Sequence, residues 1–192
     1  MNDVSIISPV RRRDASATRA AILEAAKTQF ARLGYDGATL REIASEAGSD
    51  VALIKRYFGG KEGLFTEALK ASIDPDRLQN VNRATYAREF ATAMAGDPHQ
   101  DEARTLGFQF LLRAATSPTT APLLNVAVED RFLGPIREWL GGEDAQARAR
   151  VMASVMIGCL VERLIRDRPL AGREREMFIA RVTQAIEAQL KG

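Results

Sequence analysis

Residues 38–65 of the chain read ATLREIASEAGSDVALIKRYFGGKEGLF, and this stretch decides the fold. Thr39 and Glu42 have the spacing of a capping box, in which each side chain bonds to the backbone N–H of the other residue at the start of a helix. Gly48 can adopt a positive φ without a Cβ clash, so it can end that helix in a tight turn. The first half of the stretch therefore predicts one short helix.

The second half of the stretch predicts another short helix, over residues 51–57. Asp50 can accept a hydrogen bond from a free backbone N–H at the start of this helix, and Gly59 can end it. A further helix is expected to begin near Lys61.

Three residues at fixed offsets indicate how the first two helices pack. Ala44 leaves room for a close crossing, Gly48 lies in the turn, and Ile54 is a branched apolar residue that points back into the core. These are the requirements of a helix-turn-helix, whose second helix can enter the major groove of DNA. The exposed face of that helix would then present Lys55 and Arg56 to phosphates and base edges.

The rest of the sequence predicts only helices. A helix over residues 17–33, with Gly34 as its stop, has the apolar spacing needed to support the helix-turn-helix. Asp74, Pro75 and Asp76 break the pattern and mark a domain boundary. Gly134 and Pro135 are expected to kink or divide the helix in which they lie. The expected helices after the boundary are 77–95, 101–116, 119–140, 144–167 and 173–190. The predicted fold class is all-α.

The composition narrows the classes of protein that the chain can represent. The net charge of +2 lies within residues 1–70, which hold 11 Lys and Arg against 9 Asp and Glu, while the remaining residues hold 16 of each. With one cysteine, Cys159, and one histidine, His99, an internal disulfide is impossible and a Cys/His zinc site is not expected. No signal peptide or membrane span is predicted, so a cytoplasmic protein is expected.

Five segments within residues 17–70 stand in a fixed order that resembles the DNA-binding domain of the TetR family of bacterial transcriptional regulators. The segments are Ile22, Leu23, Ala25, Ala26 and Phe30; Gly34 and Tyr35; Thr39, Leu40, Arg41, Glu42, Ile43 and Ala44; Ala47 and Gly48; and Tyr57, Phe58, Gly59, Gly60, Lys61, Glu62, Gly63, Leu64 and Phe65. The resemblance implies a helix-turn-helix DNA-binding domain over residues 17–73 and a helical effector-binding and dimerisation domain over 74–192. Residues 1–16 would be a basic tail, either a disordered terminus or an arm whose Arg11, Arg12 and Arg13 contact DNA.

The resemblance also implies where DNA would be contacted. Residues 51–57 would be the recognition helix, and Lys61 would meet a phosphate at a helix N-terminus. Lys55 stands where many members have tyrosine and Ser49 where an apolar residue is usual, which bears on the operator sequence. Asp50 is expected to act as a cap more than as a base contact, and an ordinary solvated charged face is the alternative for the whole group. The predicted DNA contacts are Thr39, Arg41, Ser49, Asp50, Val51, Ala52, Lys55, Arg56, Tyr57 and Lys61.

An effector pocket is expected among the helices of residues 77–167, where it would be mostly apolar with a few polar anchors. Ordinary core packing is the alternative for each candidate. Arg113 could anchor an acidic ligand, or it could pair with Glu129 or Asp130. The candidate ligand contacts are Phe90, Met94, Phe108, Phe110, Arg113, Phe132, Trp139 and Met156.

The last two helices, 144–167 and 173–190, carry wide apolar bands that suit a four-helix interface between two copies, with Gly158 leaving room for a close helix crossing. We therefore expect a homodimeric, ligand-responsive repressor that a small molecule releases from a palindromic DNA operator. An activator or architectural DNA-binding protein without a ligand is the alternative. An enzyme is not expected, because the chain offers no catalytic arrangement and no phosphate-binding glycine loop. Cys159 is expected to be a buried thiol in the core. No cofactor is expected.

Overall fold

The computed structural model describes residues 15–74, 78 and 81–191. Within these residues the regular structure is helical, which confirms the all-α prediction. Nearly all of the predicted basic tail, including Arg11 to Arg13, lies outside the described residues, and Ala15 already belongs to the first helix. The helices are α1 Ala15–Gly37, α2 Leu40–Glu46, α3 Val51–Phe58, α4 Lys61–Ala71, α5 Tyr86–Met94, α6 Glu102–Thr116, α7 Ala121–Val128, α8 Gly134–Leu140, α9 Ala145–Ile165 and α10 Gly172–Leu190.

The helix-turn-helix forms where the local sequence predicts it. The Thr39 hydroxyl accepts from the Glu42 backbone N–H at 3.2 Å, and Glu42 Oε2 accepts from the Thr39 N–H at 3.1 Å, which completes the capping box. Gly48 has a φ of +59°, and the N–H of Ser49 reaches back to the carbonyl of Ala44 at 2.8 Å. This hydrogen bond spans five residues, and it closes the end of α2 and turns the chain toward α3.

A cluster of aromatic rings joins the first four helices to the rest of the chain. Phe30 of α1 and Phe65 of α4 lie edge to face, with ring centroids 4.8 Å apart. Phe110 of α6 packs against both, at 5.9 Å from Phe30 and 5.2 Å from Phe65, and Tyr35 lies against the Phe65 ring. We name these four residues the aromatic cluster. The first four helices and the second half of the chain therefore share one core.

The first helix after the boundary is shorter than predicted. The sequence predicts one helix over residues 77–95, but α5 begins only at Tyr86, so the prediction was wrong over residues 81–85. The Asn82 side chain accepts from the N–H of Ala84 at 3.0 Å, and the Asn82 carbonyl accepts from Thr85 at 3.1 Å. Such a local turn competes with helix formation, because it satisfies the same backbone groups in another way.

The predicted helix over residues 119–140 is divided, as Gly134 and Pro135 indicated. A π-helical segment, Glu129–Leu133, separates α7 from α8, and the Gly134 N–H donates to the carbonyl of Glu129. A Cβ on Gly134 would lie 2.8 Å from that carbonyl oxygen, so glycine permits the wide turn. Pro135 has no N–H to continue an α-helical ladder, which explains the change of helix type at this point.

The last two helices pack against each other and against α5, and they leave part of α9 open. Met152, Met156 and Cys159 face the core, whereas Val151, Ile157 and Ile165 are exposed. Gly158 is also exposed, and a Cβ there would meet nothing within 4 Å. The predicted close crossing at Gly158 is therefore not a crossing within the subunit. None of the helices in the described residues combines the length and apolar composition that a bilayer crossing requires.

Gly63 offers a test of the connection between α3 and α4. A methyl group at this position would overlap the backbone carbonyl of Phe58, so Gly63→Ala is expected to lower the free energy of unfolding by about 1–3 kcal/mol. Gly107→Ala is the matched control in another helix, because its methyl would lie at an ordinary 3.9 Å from Ser72 Cβ. Urea titrations followed by circular dichroism measure both variants. Equal stability of the two variants would contradict this description of the junction.

Candidate nucleic-acid interface

Helix α3, the predicted recognition helix, has one buried and one exposed face. Ile54 and Phe58 are buried, while Ala52, Lys55 and Arg56 are exposed. Because the buried residues hold α3 against the other three of the first four helices, the basic side chains point to solvent from a fixed support. This is the geometry needed for a helix that enters a major groove and donates hydrogen bonds to bases or phosphates.

The residues around the start of α3 differ in what they can do. Asp50 caps the helix, because its Oδ1 accepts from the N–H of Ala52 at 2.6 Å, as the sequence predicted. The Ser49 hydroxyl oxygen is buried and has no hydrogen-bond partner among the described residues. In this conformation Ser49 is therefore turned inward, whereas Val51 is half-buried and Ala52 faces solvent. Ala52 is the best placed of the small residues for contact with a base.

The residues predicted to contact phosphates flank α3. Thr39 and Arg41 are exposed, although the Thr39 hydroxyl also donates to Glu42 Oε2 at 2.6 Å. Lys61 is half-buried, and its Nζ lies 4.8 Å from the centroid of the Tyr35 ring and 3.5 Å from the carbonyl oxygen of Asp36. An ammonium group has three donors, so Lys61 retains donors for a phosphate.

Tyr35 supports Lys61 through its ring. Burial raises the pKa of the Tyr35 phenol, and the negative charges of Glu62 and Asp36 raise it further. The phenol is thus neutral at physiological pH, and its ring face attracts the ammonium group of Lys61. The contact places Lys61 beside the end of α1.

Arg19 of α1 is a positioning residue that the sequence did not reveal. Its Nη2 lies 2.9 Å from Glu67 Oε2 of α4, and its guanidinium carbon lies 4.8 Å from the centroid of the Phe58 ring. Arg19 thus connects α1, the end of α3 and α4. No local sequence pattern predicts this contact, since Arg19, Phe58 and Glu67 are brought together only by the tertiary fold.

The candidate ligand contacts do not converge on one cavity. Trp139 is half-buried beneath the guanidinium group of Arg83. Arg113 is exposed, and with Phe110 it lines a small cavity of about 120 Å³ next to the aromatic cluster. Glu129 pairs with Arg137 at 2.8 Å, and among the described residues Arg113 forms no ion pair with Glu129 or Asp130, the two partners suggested for it. The candidates that are buried in the core are Phe90, Met94, Phe110, Phe132 and Met156.

A larger cavity of about 320 Å³ lies between the end of α5, the first half of α6 and the second half of α9. Of the predicted contacts only Phe108 lines it. Sequence reasoning missed Arg104 and Arg163, because residues on separate helices give no joint signal before their packing is known. In the described part of the chain no three His, Cys, Asp or Glu side chains lie close enough to hold a metal ion. Cys159 is buried, and burial followed by the charge of Glu162 raises the pKa of its thiol.

Two family models match the chain in the order that the fold suggests. Residues 22–68 match the bacterial regulatory proteins of the tetR family, and residues 84–190 match the tetracyclin repressor-like C-terminal domain. The second match alone covers more than half of the chain. The chain therefore belongs to the TetR family, whose members are DNA-binding transcriptional regulators and not enzymes.

Individual relatives agree with this assignment. The transcriptional repressor SCO4008 of Streptomyces coelicolor is 40% identical over 76 residues, a match that covers 35% of this chain and 40% of the repressor. The transcriptional regulator BetI of Agrobacterium fabrum is 25% identical over 163 residues, which cover 79% of each protein. The transcriptional repressor AcnR of Corynebacterium glutamicum is 30% identical over 101 residues, which cover 53% of each.

Solved structures share the fold. NalD, the secondary repressor of the MexAB-OprM multidrug efflux pump in Pseudomonas aeruginosa, superposes with a TM-score of 0.62 at 16% identity, covering 92% of this chain and 98% of NalD. A transcriptional regulator from Rhodococcus sp. Rha1 superposes with a TM-score of 0.58 at 24% identity, covering 93% of this chain and 97% of the regulator.

Lys55→Ala and Arg56→Ala are expected to weaken operator binding by about 1–3 kcal/mol for each lost contact. Both side chains are exposed on α3, so their removal should leave the fold intact. Gel-shift titration with the DNA upstream of the gene measures the change. Arg88→Ala, which removes an exposed arginine from α5, is the control and should bind as the wild type does. Unchanged affinity in both α3 variants would contradict the assignment.

Asp50→Ala is expected to lower the free energy of unfolding by about 0.5–2 kcal/mol, because the N-terminal cap of α3 is lost. Asp50→Ser keeps a capping oxygen and should retain most of the stability. Thermal denaturation compares the two variants, and DNA titration of Asp50→Ser then reports whether the carboxylate itself contacts DNA. If Asp50→Ser were as unstable as Asp50→Ala, capping would not be the role of Asp50.

Proposed function

We propose that this chain is a homodimeric repressor that a small molecule releases from a palindromic operator. The observation that carries the proposal is one continuous hydrophobic core, which joins the helix with the exposed basic face to the half of the chain that contains the cavity. The recognition helix α3 presents exposed basic residues, and the second half of the chain contains a cavity of a size that ligands occupy. The aromatic cluster connects the two.

For DNA binding, we assign residues 17–73 to the DNA-binding domain and 51–57 to the major groove. Lys55 and Arg56 would read bases or phosphates, with Arg41 and Lys61 at flanking phosphates. Arg19 would hold the end of α3 against α4 through Phe58 and Glu67. A regulator of bacterial operators acts where the DNA is, so we place the protein in the cytoplasm.

For dimerisation, we assign residues 144–167 and 173–190 to the interface with a second copy. Val151, Ser154, Ile157 and Gly158 form an exposed stripe on α9 at helical spacing. Met177 of α10 is exposed as well. Apolar and small residues that face solvent over about two turns suit an isologous helix pair, in which Gly158 allows close approach. Two recognition helices would then face two half-sites.

For regulation, we propose that residues 74–192 bind an effector and that α6 and α4 carry its effect to DNA. One side of α6 lines the larger cavity at Phe108, and Phe110 of the same helix packs against Phe30 and Phe65. A ligand that moves α6 would shift α1 and α4 and so change the separation of the recognition helices. The coupling free energy expected between two such sites is about 1–3 kcal/mol.

Repression is the favoured mode because SCO4008, AcnR and NalD are named repressors. An architectural DNA-binding protein without a ligand is the weaker alternative, since it would have no need of a cavity in its second half. Activation of transcription is the other alternative, and the reporter experiment described below distinguishes it from repression.

Ile157→Glu tests the dimer and its link to DNA. The substitution places a charge on the exposed α9 stripe, so it should yield monomers at about micromolar concentration and lower the affinity for a palindromic site. Sedimentation velocity and fluorescence anisotropy measure the two effects. Thr92→Glu, on the exposed surface of α5, is the control and should remain dimeric.

Three results would contradict the proposed function. One is a wild-type chain that stays monomeric at this concentration, and another is a palindromic site bound no better than random DNA. The third is transcription that rises when the chain is added to a reporter system, which would indicate an activator.

A further inference from the structure

The wall of the larger cavity carries three charged side chains. Arg104 comes from the first turn of α6 and Arg163 from the last turns of α9, and both line the cavity. Asp101, at the start of α6, is the acidic residue of the lining. The three formal charges leave an excess of one positive charge on the wall of the cavity.

The two arginines differ in how they are held. Arg163 is fixed, because its Nη1 donates to the carbonyl of Ala93 at 3.2 Å and its Nη2 to that of Asp97 at 2.5 Å. The guanidinium group of Arg104 makes no hydrogen bond or ion pair with any residue in the described part of the chain. The nearby carboxylate of Asp101 instead caps α6, since its Oδ1 accepts from the backbone N–H of Arg104 at 3.0 Å. Arg104 therefore keeps all its donors for a molecule that enters the cavity.

The electrostatic environment agrees with this geometry. Burial lowers the pKa of Arg163, and the like charges of Arg104 and Arg166 lower it further, while Asp101 and Asp97 act in the opposite direction. The charge of Arg163 is thus partly desolvated and is repelled by the charges of Arg104 and Arg166. A negative charge placed between Arg104 and Arg163 would reduce that repulsion.

The rest of the wall is mostly apolar, with Gln100 and Thr105 as its uncharged polar residues. Phe108 of α6 and Leu160 and Leu164 of α9 face the same space. A volume of about 320 Å³ is at the lower end of the range for ligand sites. The occupant should therefore be small, with an apolar body and one negative charge to match the excess at the wall.

We propose that this cavity binds a small organic monoanion, a carboxylate with an apolar body, whose carboxylate pairs with Arg104 beside Arg163. The apolar body lies against Phe108, Leu160 and Leu164. A guanidinium group favours a carboxylate because its N–H donors match the two oxygens. The assignment of this molecule as the effector rests on the proposed function, whereas its binding does not.

Calorimetric titration of the full chain with octanoate and 3-phenylpropionate tests the binding. We expect both carboxylates to bind with a Kd of about millimolar or tighter. Octanamide, which has the same chain but no charge, should bind at least about tenfold more weakly, because it cannot form the charged pair.

Arg104→Gln should weaken octanoate binding about tenfold or more, and Arg104→Lys should retain part of the affinity because it keeps the charge. Arg113→Gln is the matched control, since Arg113 is also an exposed arginine of α6 but lines the other cavity. Thermal denaturation verifies that each variant is folded. The exposed side chain of Arg104 has no bond within the described residues to lose, so a folded protein is expected.

The proposal is overturned if neither carboxylate binds at about millimolar concentration, if octanamide binds as well as octanoate, or if Arg104→Gln has no effect or no more effect than Arg113→Gln. Operator release is measured separately, by adding octanoate to the DNA complex. Arg104-dependent binding that leaves DNA affinity unchanged supports the site but contradicts the ligand-responsive part of the proposed function.

Discussion

The contact of Phe110 with Phe30 and Phe65 is the interaction on which the rest of the structure depends. Each ring pair contributes about 0.5–1.5 kcal/mol beyond the burial of its surface. More important is the origin of the rings, because they come from three helices that lie in both halves of the chain. The helix-turn-helix is too small for a comfortable core of its own. It is stabilised by completing its core with a ring from α6.

Local chemistry made the DNA-binding half predictable. The capping box at Thr39, the turn at Gly48 and the cap at Asp50 each depend on residues within a few positions of one another, and all three form as predicted. The buried position of Ile54 followed from the same spacing. The predicted contacts with DNA stay predictions, since they depend on a partner that the sequence does not contain.

The second half was predictable only in outline. Its helices followed from apolar periodicity, but the start of α5 at Tyr86 did not, because the turn at Asn82 competes locally with the helix. The pocket candidates are large apolar side chains apart from Arg113, and five of the eight candidates are buried in the core. Arg104 and Arg163 are far apart in sequence. They line the same cavity only because the fold brings α6 near α9.

The position of Arg104 and Phe108 near the start of α6 has a consequence for how such a protein can evolve. Arg104 is exposed and Phe108 half-buried, whereas Phe110 on the same helix is almost fully buried. Substitutions of Arg104 or Phe108 at the cavity wall therefore cost little packing energy. Substitution of Phe110 would cost much more, because its buried ring joins the two halves of the chain. One scaffold can thus acquire a new chemical preference by changing a few wall residues and keep its connection to DNA.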